Sequence, residues 1–250
     1  EALGIQFQTV SKWERQIALP DTALLPALAR QFGVSIDSLF RKPRWECTGD
    51  MPEEESSFLL ETYSKAYGPE AGPWNLSLEH KYLSYMFTKF FEDNFPVKQG
   101  DNICNIGIGA GEWDRYLSYR LRGGILTSID KLEICCRQLK SRWHLEENPN
   151  HINIIFADAM TLDLENAFDI LTMVGTTGIE SNDALALLQK AASFVKNGGF
   201  LYYQTLDGND ACGETIQMAA SCGLMIQNML QDLSHGLTAH YYCFKKAEKI

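Results

Sequence analysis

One glycine-rich turn constrains the fold more than any other part of the chain. Three of the four residues 103–106 are apolar, which is typical of a short buried parallel strand. Three glycines then follow at alternate positions: Gly107, Gly109 and Gly111. The segment 112–121 has an apolar face at helical spacing. A turn of this kind between a strand and a helix lets the backbone approach a ligand closely and aims helix N–H groups at it.

The residues around this turn distinguish between two kinds of nucleotide-binding site. A nicotinamide-type fingerprint needs a glycine at position 112, where the sequence has Glu112. A second predicted strand, residues 124–130, ends in Asp130, which lies nineteen residues after Gly111. A carboxylate at the end of such a strand can accept hydrogen bonds from the two hydroxyl groups of a ribose. An ordinary glycine-rich turn is the alternative.

Predicted strands and helices alternate through the rest of the large domain. The strands cover residues 151–159, 168–175 and 196–205, and a hairpin of 224–230 and 238–245 follows. The helices between them cover residues 132–139, 184–194 and 215–220. A longer helix, with apolar residues from 82 to 91, precedes the glycine-rich turn. The alternation implies a parallel sheet with right-handed crossovers, so ligands are expected at the carboxyl ends of the strands.

The glycine-rich turn and Asp130 together resemble motifs I and II of class I S-adenosylmethionine-dependent methyltransferases. The resemblance implies an α/β, Rossmann-like fold with a mostly parallel seven-stranded sheet flanked by helices. It also implies bound S-adenosylmethionine, with S-adenosylhomocysteine as the product. Asp158, at the end of the third strand, resembles the family position near the adenine amino group, where an acceptor suits an N–H donor.

The same resemblance implies a set of cofactor-binding residues: Asn105, Gly107, Gly109, Gly111, Asp130, Lys131, Asp158, Ala159, Val174, Tyr67 and Trp74. Tyr67 and Trp74 belong to it because segments before motif I often cover the cofactor, although core or surface packing would also explain them. Asn105 is a departure, since the family more often has Asp or Glu there. The change removes one negative charge near the cofactor, although an amide oxygen can still accept a hydrogen bond.

The chemistry of methyl transfer leaves the catalytic side chain undetermined. The sulfonium of the cofactor is already activated, so the enzyme mainly positions the acceptor and shapes the electrostatics. His235, His240 and Glu180 could act as a base, but surface or hairpin positions for the histidines and a solvated helix start for Glu180 explain them as well. The Asn/Asp-Pro-Pro-aromatic motif and the Pro-Cys pair of DNA methylases are both missing from the sequence. A small-molecule acceptor is therefore expected, with protein or RNA as the less favoured alternatives.

The first forty residues are expected to form a separate helical unit. Residues 4–15 resemble the turn and recognition helix of the lambda-repressor-like (XRE) helix-turn-helix family, and 34–40 resemble its final short helix. The resemblance implies DNA binding through polar side chains of the recognition helix: Gln8, Thr9, Ser11, Lys12 and Arg15. Gln6 and Gln16 depart from the usual helix-capping residues, and the sequence begins inside the motif, so a truncated or disordered first part is expected. A helical appendage that never touches DNA is the alternative.

Charge and cysteine content limit the functions further. The chain has a formal net charge of −10, but residues 1–45 hold six Lys or Arg and four Asp or Glu. The acidic remainder argues against a polyanionic substrate for the large domain. The seven cysteines include no CxxC pair or zinc-binding spacing, and Cys135 and Cys136 are expected to pack within a helix. With no signal peptide and no apolar run of membrane-spanning length, a cytoplasmic protein that does not bind a membrane is expected.

These patterns predict a helix-turn-helix module at 1–42, a linker at 43–56 and a methyltransferase domain at 57–250. One hypothesis is an enzyme that methylates a small molecule and that is directed to DNA, or regulates its own gene, through the first module. The other is a transcription regulator whose methyltransferase-like domain senses S-adenosylmethionine or a metabolite without significant catalysis. A homodimer is expected because regulators with this module usually read two half-sites related by a two-fold axis.

Overall fold

The computed structural model of the chain describes residues 5–14, 18–33, 36, 39, 77–94, 97–175, 183–206, 211–233 and 238–248. The chain divides into two compact units, residues 1–53 and 54–250, and each is described by itself. No helix in these described ranges is long and apolar enough to cross a membrane. The same ranges contain no group of His, Cys, Asp or Glu side chains that could hold a metal ion.

The N-terminal unit contains two short described helices. Helix α1 covers Phe7–Glu14, helix α2 covers Leu25–Phe32, and a 3-10 turn, Thr22–Leu24, precedes α2. The Asp21 side chain accepts a hydrogen bond from a backbone N–H of that turn at 2.9 Å, so it acts as an N-cap. Gly33 ends α2 in the left-handed conformation, at φ 67°.

A seven-stranded sheet forms the centre of the larger unit. Its strands are β1 (Ile103–Ile106), β2 (Leu126–Asp130), β3 (Ile152–Phe156), β4 (Phe168–Met173), β5 (Val195–Thr205), β6 (Leu224–Asp232) and β7 (Ala239–Lys246). Their order across the sheet is β3-β2-β1-β4-β5-β7-β6. The pairs from β3 to β5 are parallel, and β7 runs antiparallel to both β5 and β6. The predicted mostly parallel seven-stranded sheet is therefore confirmed.

Helices cover both faces of this sheet. The described ones are α3 (Leu78–Asn94), α4 (Glu112–Arg120), α5 (Glu133–Leu145), α6 (Ala184–Phe194) and α7 (Ala211–Ser221). One buried cluster joins the sheet to α6 and α7 and includes Leu188, Phe194 and Ala219. A second cluster joins the sheet to α3 and α4 and includes Phe87 and Leu117. Burial on two faces agrees with the mostly apolar sequences of the central strands β1 and β4.

The strand order fixes where a ligand can bind. Strand β1 lies between β2 and β4, so the chain builds the sheet first in one direction and then in the other. The crevice outside the carboxyl ends of the strands at such a switch point is the usual ligand site of an open α/β sheet. The glycine-rich turn follows β1 and therefore lies at this crevice.

Two helices are longer than the sequence predicts. Helix α5 continues to Leu145 because Trp143 packs against two neighbouring buried clusters and donates a hydrogen bond from Nε1 to the Asn150 carbonyl at 3.0 Å. Helix α7 begins at Ala211 although Gly213 lies inside it. Polar residues near the end of α5 and Gly213 near the start of α7 interrupt the apolar periodicity, so the sequence pattern does not predict these extensions.

Candidate functional site

A cavity of about 950 Å³ lies beside the carboxyl ends of the central strands and the inner face of α3. Eight residues that are predicted to bind a cofactor line it: Gly107, Gly109, Gly111, Asp130, Lys131, Asp158, Ala159 and Val174. The structure therefore brings the separate sequence motifs together in one cavity. A more open groove of about 1050 Å³ between α5 and β3 contains none of these residues and lies at the edge of the sheet.

The backbone of the turn requires its glycines. Gly107, Gly109 and Gly111 have φ of 89°, 53° and 78°, which is the left-handed region that other residues rarely adopt. A Cβ atom at Gly111 would also lie 2.9 Å from Leu139 Cδ1 on α5. The Gly111 N–H donates to the Ile108 carbonyl at 2.8 Å, and α4 begins at the next residue. The turn thus presents bare backbone to the cavity immediately before a helix N-terminus.

The Asp130 carboxylate holds this turn from the end of β2. Its Oδ2 accepts hydrogen bonds from the N–H groups of Ile108 at 2.7 Å and Gly109 at 3.3 Å. Its Oδ1 accepts one from the Leu132 N–H at 2.8 Å. An ionised carboxylate has about four lone-pair sites, so it keeps acceptor capacity for a hydroxyl group in the cavity. The sequence indicates the place of Asp130 but not its bonds to the turn.

Asp158 lies just past the end of β3. Its Oδ1 accepts a hydrogen bond from the Met160 N–H at 2.9 Å and so caps a short 3-10 turn, Ala159–Thr161. Its other carboxylate oxygen has no hydrogen bond to a described residue, which leaves an acceptor for an amino group. Lys131 is exposed beside Asp130 and also lines the cavity. The predicted adenine and ribose positions therefore belong to the same cavity wall.

Asn105 lies behind the turn rather than in the wall of the cavity. Its side chain is fully buried, and Nδ2 donates to the Gly107 carbonyl at 3.0 Å and to Asp114 Oδ1 at 3.0 Å. Its Oδ1 accepts a hydrogen bond from Thr172 Oγ1 at 2.9 Å. The sequence predicts Asn105 as a cofactor-binding residue, but the structure makes it a support of the turn.

Asp114 completes this network, and no sequence motif points to it directly. Its carboxylate is fully buried, and Oδ1 accepts hydrogen bonds from Asn105 Nδ2 and from Ser128 Oγ. Its Oδ2 has no partner among the described residues. Burial raises the pKa of Asp114 to about 7, and the two hydrogen bonds oppose that rise. Its position in the first turn of α4, where the helix dipole favours an anion, is the available sequence signal.

Polar side chains line the part of the cavity next to α3. His80, Ser84 and Thr88 lie one turn apart on this helix, and each lines the cavity. The hydroxyl groups of Ser84 and Thr88 donate to backbone carbonyls one turn earlier, at 2.9 Å each, so their oxygens can still accept. Gln204, near the end of β5, is 4% exposed, lines the same cavity and hydrogen-bonds Tyr241. The sequence does not predict these residues, because the apolar periodicity of α3 indicates only a core helix and Gln204 is one position of a predicted strand.

Trp113 connects the network under the turn to α3. Its Nε1 donates a hydrogen bond to Thr172 Oγ1 at 3.0 Å, and its side chain also lines the cavity. Its ring packs edge to face against the rings of Phe87 and Phe91, whose centroids lie 4.8 and 5.2 Å from its own. The wall of α3 and the turn are therefore joined through one aromatic side chain.

Several predicted site residues lie outside the described part of the chain: Tyr67, Trp74, Glu180, His235 and Arg15. The side chains of Gln8 and Ser11 are not described either, whereas Thr9 and Lys12 are exposed on α1, as DNA-contacting residues have to be. His240 is buried in β7, stacks on a neighbouring tyrosine with ring centroids 5.9 Å apart, and does not line the cavity. A role for His240 as a base in this cavity is therefore not supported.

Comparison with known families identifies the N-terminal unit. Residues 1–39 match the helix-turn-helix family, and this range contains both α1 and α2. A search of the curated proteins found no match to the chain.

The larger unit shares its fold with solved methyltransferase structures. A putative sarcosine dimethylglycine methyltransferase from Galdieria sulphuraria is 14% identical, with a TM-score of 0.57 over 68% of this chain and 87% of that one. The Burkholderia thailandensis 1,6-didemethyltoxoflavin-N1-methyltransferase, solved with 1,6-didemethyltoxoflavin and S-adenosylhomocysteine, is 11% identical, with a TM-score of 0.56 over 81% and 93%. The (4+2)-cyclase SpnF is 12% identical, with a TM-score of 0.58 over 66% and 81%. The chain therefore combines a helix-turn-helix unit with a domain of the class I methyltransferase fold.

Proposed function

We propose that the larger unit binds S-adenosylmethionine and transfers its methyl group to a small molecule, while the N-terminal unit binds DNA. The observation that carries this proposal is the turn after β1, with its left-handed glycines and with Asp130 bonded to two of its N–H groups. The turn lies at the switch point of a fold that methyltransferases share. Bound S-adenosylmethionine supplies an activated methyl group, so the chain itself has to bind the cofactor and the acceptor and orient them.

The described residues fit the parts of this cofactor. Asp130 keeps acceptor capacity for ribose hydroxyls, and Asp158 keeps an oxygen for the adenine amino group. Ala159 and Met160 add apolar surface beside Asp158, and both line the cavity. The bare backbone at Gly109 lines the cavity and suits the close approach of a ligand.

A small-molecule acceptor is supported by the size and the lining of the cavity. Its volume of about 950 Å³ is in the range of small-molecule sites, roughly 300–1,000 Å³. The hydroxyl oxygens of Ser84 and Thr88 can accept hydrogen bonds, so an acceptor with N–H or O–H groups fits. The Burkholderia methyltransferase of the same fold holds a small molecule, 1,6-didemethyltoxoflavin, together with S-adenosylhomocysteine. The deficit of positive charge in the larger unit gives no support to a nucleic-acid acceptor.

A second function is a sensor that binds S-adenosylmethionine or a metabolite and passes the signal to the DNA-binding unit. One observation favours it, since a cyclase is among the proteins that share the fold. A shared fold therefore does not fix methyl transfer as the reaction.

We further propose that the protein is a cytoplasmic homodimer that reads a two-fold symmetric DNA site. The exposed Thr9 and Lys12 on α1 support DNA contact, since polar side chains of a recognition helix reach base edges and phosphates. A small unit with few basic residues has low affinity alone, and two copies on one duplex raise it. Light scattering of the full-length protein with and without its DNA site measures the mass, and a monomer bound to the site contradicts the dimer.

Calorimetric titration with S-adenosylhomocysteine, followed by a transfer assay, tests the main proposal. The transfer assay uses S-adenosylmethionine with a labelled methyl group and a metabolite extract. We expect binding, and then label in the small-molecule fraction. Binding with no transfer to any fraction favours the sensor. No binding of S-adenosylhomocysteine by the folded wild-type protein contradicts both the methyltransferase and a sensor of S-adenosylmethionine.

A further inference from the structure

The pair Asn105 and Asp114 explains the departure from the family pattern at position 105. The Asn105 amide donates to two acceptors, the Gly107 carbonyl and Asp114 Oδ1, at 3.0 Å each. An aspartate at position 105 could donate to neither of them when ionised, and it would set a second carboxylate beside Asp114. The amide at 105 therefore complements the carboxylate at 114.

The strand register shows that these residues form one buried polar row. Asn105 pairs with Ser128 on β2 and with Thr172 on β4, so the three side chains lie at the same level of the sheet. All three are fully buried, as is Asp114, which reaches the row from α4. Trp113, next to it on α4, bonds to the other end of the row at Thr172. Within this row of described residues, the one carboxylate belongs to Asp114.

We propose that Asp114 is a positioning residue for the cofactor, in place of the acidic side chain that is more common at position 105. Its carboxylate holds the Asn105 amide against the Gly107 carbonyl and so fixes the turn. It also supplies a buried negative charge beneath the ligand. S-adenosylmethionine carries an ammonium, a sulfonium and one carboxylate, so its net charge is positive. This inference rests on the proposed binding of S-adenosylmethionine.

The charge of Asp114 can change in the physiological range. Burial raises its pKa to about 7, and the nearby charge of Asp130 adds to the rise. The other titratable groups that interact with it are the thiols of Cys104 on β1 and Cys136 on α5, whose pKa values burial raises, so both stay neutral. A cationic ligand stabilises the ionised carboxylate, so binding below pH 7 releases its proton.

The affinity for S-adenosylmethionine, measured by calorimetry from pH 6 to pH 8, tests the role of Asp114. If only the ionised form binds well, the ionised fraction makes wild-type affinity about tenfold weaker at pH 6 than at pH 8. Asp114→Asn should lose this dependence. Asp169→Asn is the control, because that carboxylate lies at the start of β4, at the opposite end of the sheet, where it bonds to the Asn102 N–H and pairs with Lys196, and its profile should match the wild type. The ligand's own amino group titrates equally for all variants, so the difference between profiles is the readout.

A charge swap separates this role from simple packing. Asn105→Asp should bind weakest, because two carboxylates then share the row. The double variant, Asn105→Asp with Asp114→Asn, has one carboxylate again and should bind more tightly than Asn105→Asp, although it cannot restore the bond to Gly107. Thermal unfolding of each ligand-free variant identifies the ones that fold.

Proton release by the wild-type protein keeps the test independent of the variants. Calorimetry at pH 6.5 in two buffers of different ionisation enthalpy should show release of up to about one proton per S-adenosylmethionine bound. A wild-type protein that binds without releasing a proton overturns the inference, as does a folded Asp114→Asn variant with the wild-type pH profile. A double variant no tighter than Asn105→Asp overturns it as well. A folded wild-type protein that binds no S-adenosylmethionine at any pH contradicts the proposed function instead.

Discussion

Replacing Asp130 with alanine should damage the turn and the ligand site together. The carboxylate accepts backbone N–H groups from Ile108, Gly109 and Leu132 at 2.7, 3.3 and 2.8 Å. A hydrogen bond to a charged group contributes about 1.5–3 kcal/mol. Ile108 is 4% exposed and its N–H cannot easily turn to water, whereas the other two donors are better hydrated, so the free energy of unfolding should fall by about 2–4 kcal/mol.

The same substitution removes the charge-assisted bonds that a ribose would make. Affinity for S-adenosylhomocysteine should fall by about 1.5–3 kcal/mol in calorimetry, and urea unfolding of the ligand-free protein measures the stability loss. Asp101→Ala is the matched control, because that carboxylate accepts a single exposed backbone N–H, from Lys98 at 2.7 Å, and lies before β1. We expect it to leave the affinity unchanged. Wild-type stability for Asp130→Ala would refute the structural role, and wild-type affinity would refute the ribose assignment.

Three other substitutions test separate parts of the account. Gly111→Ala should abolish S-adenosylhomocysteine binding in calorimetry, because its Cβ would lie 2.9 Å from an α5 side chain in a left-handed backbone, whereas Gly213→Ala in α7, with nothing within 4 Å, should not. Asp114→Asn should flatten the pH dependence of unfolding by urea. The folded-state pKa of about 7 lies above the ordinary value of 3.8, so this part of the wild-type stability is complete below pH 4 and is lost as the pH rises from there through 7, by about 4 kcal/mol. Lys12→Ala should weaken DNA binding by the full-length protein and lower the slope of log affinity against log salt by about one in fluorescence anisotropy, and an unchanged slope would exclude a phosphate contact.

The features that depend on local spacing could be predicted from the sequence. Alternate glycines after an apolar run specify the turn, because only glycine adopts the left-handed backbone there. Asp130 and Asp158 follow predicted strands, and the carboxyl ends of parallel strands meet at one edge of the sheet. The residues that follow the predicted strands therefore lie together in the cavity.

The features that depend on packing between distant elements could not be predicted. Asp114 is polar and lies on a helix, so nothing local indicates that the packing of α4 on β1 and β2 buries it. The same packing turns Asn105 away from the cavity, although it stands beside the glycines in sequence. On α3, the apolar face buries Phe87, and Ser84 and Thr88 lie at the polar edge of that face, where they line the cavity.

The structure of the protein with S-adenosylhomocysteine bound tests the central claim most directly. We expect the ligand in the cavity over the glycine-rich turn, with the ribose hydroxyls bonded to Asp130 and the adenine amino group near Asp158. Occupancy of the groove between α5 and β3 instead, or no ligand in crystals soaked at saturating concentration, would contradict the account.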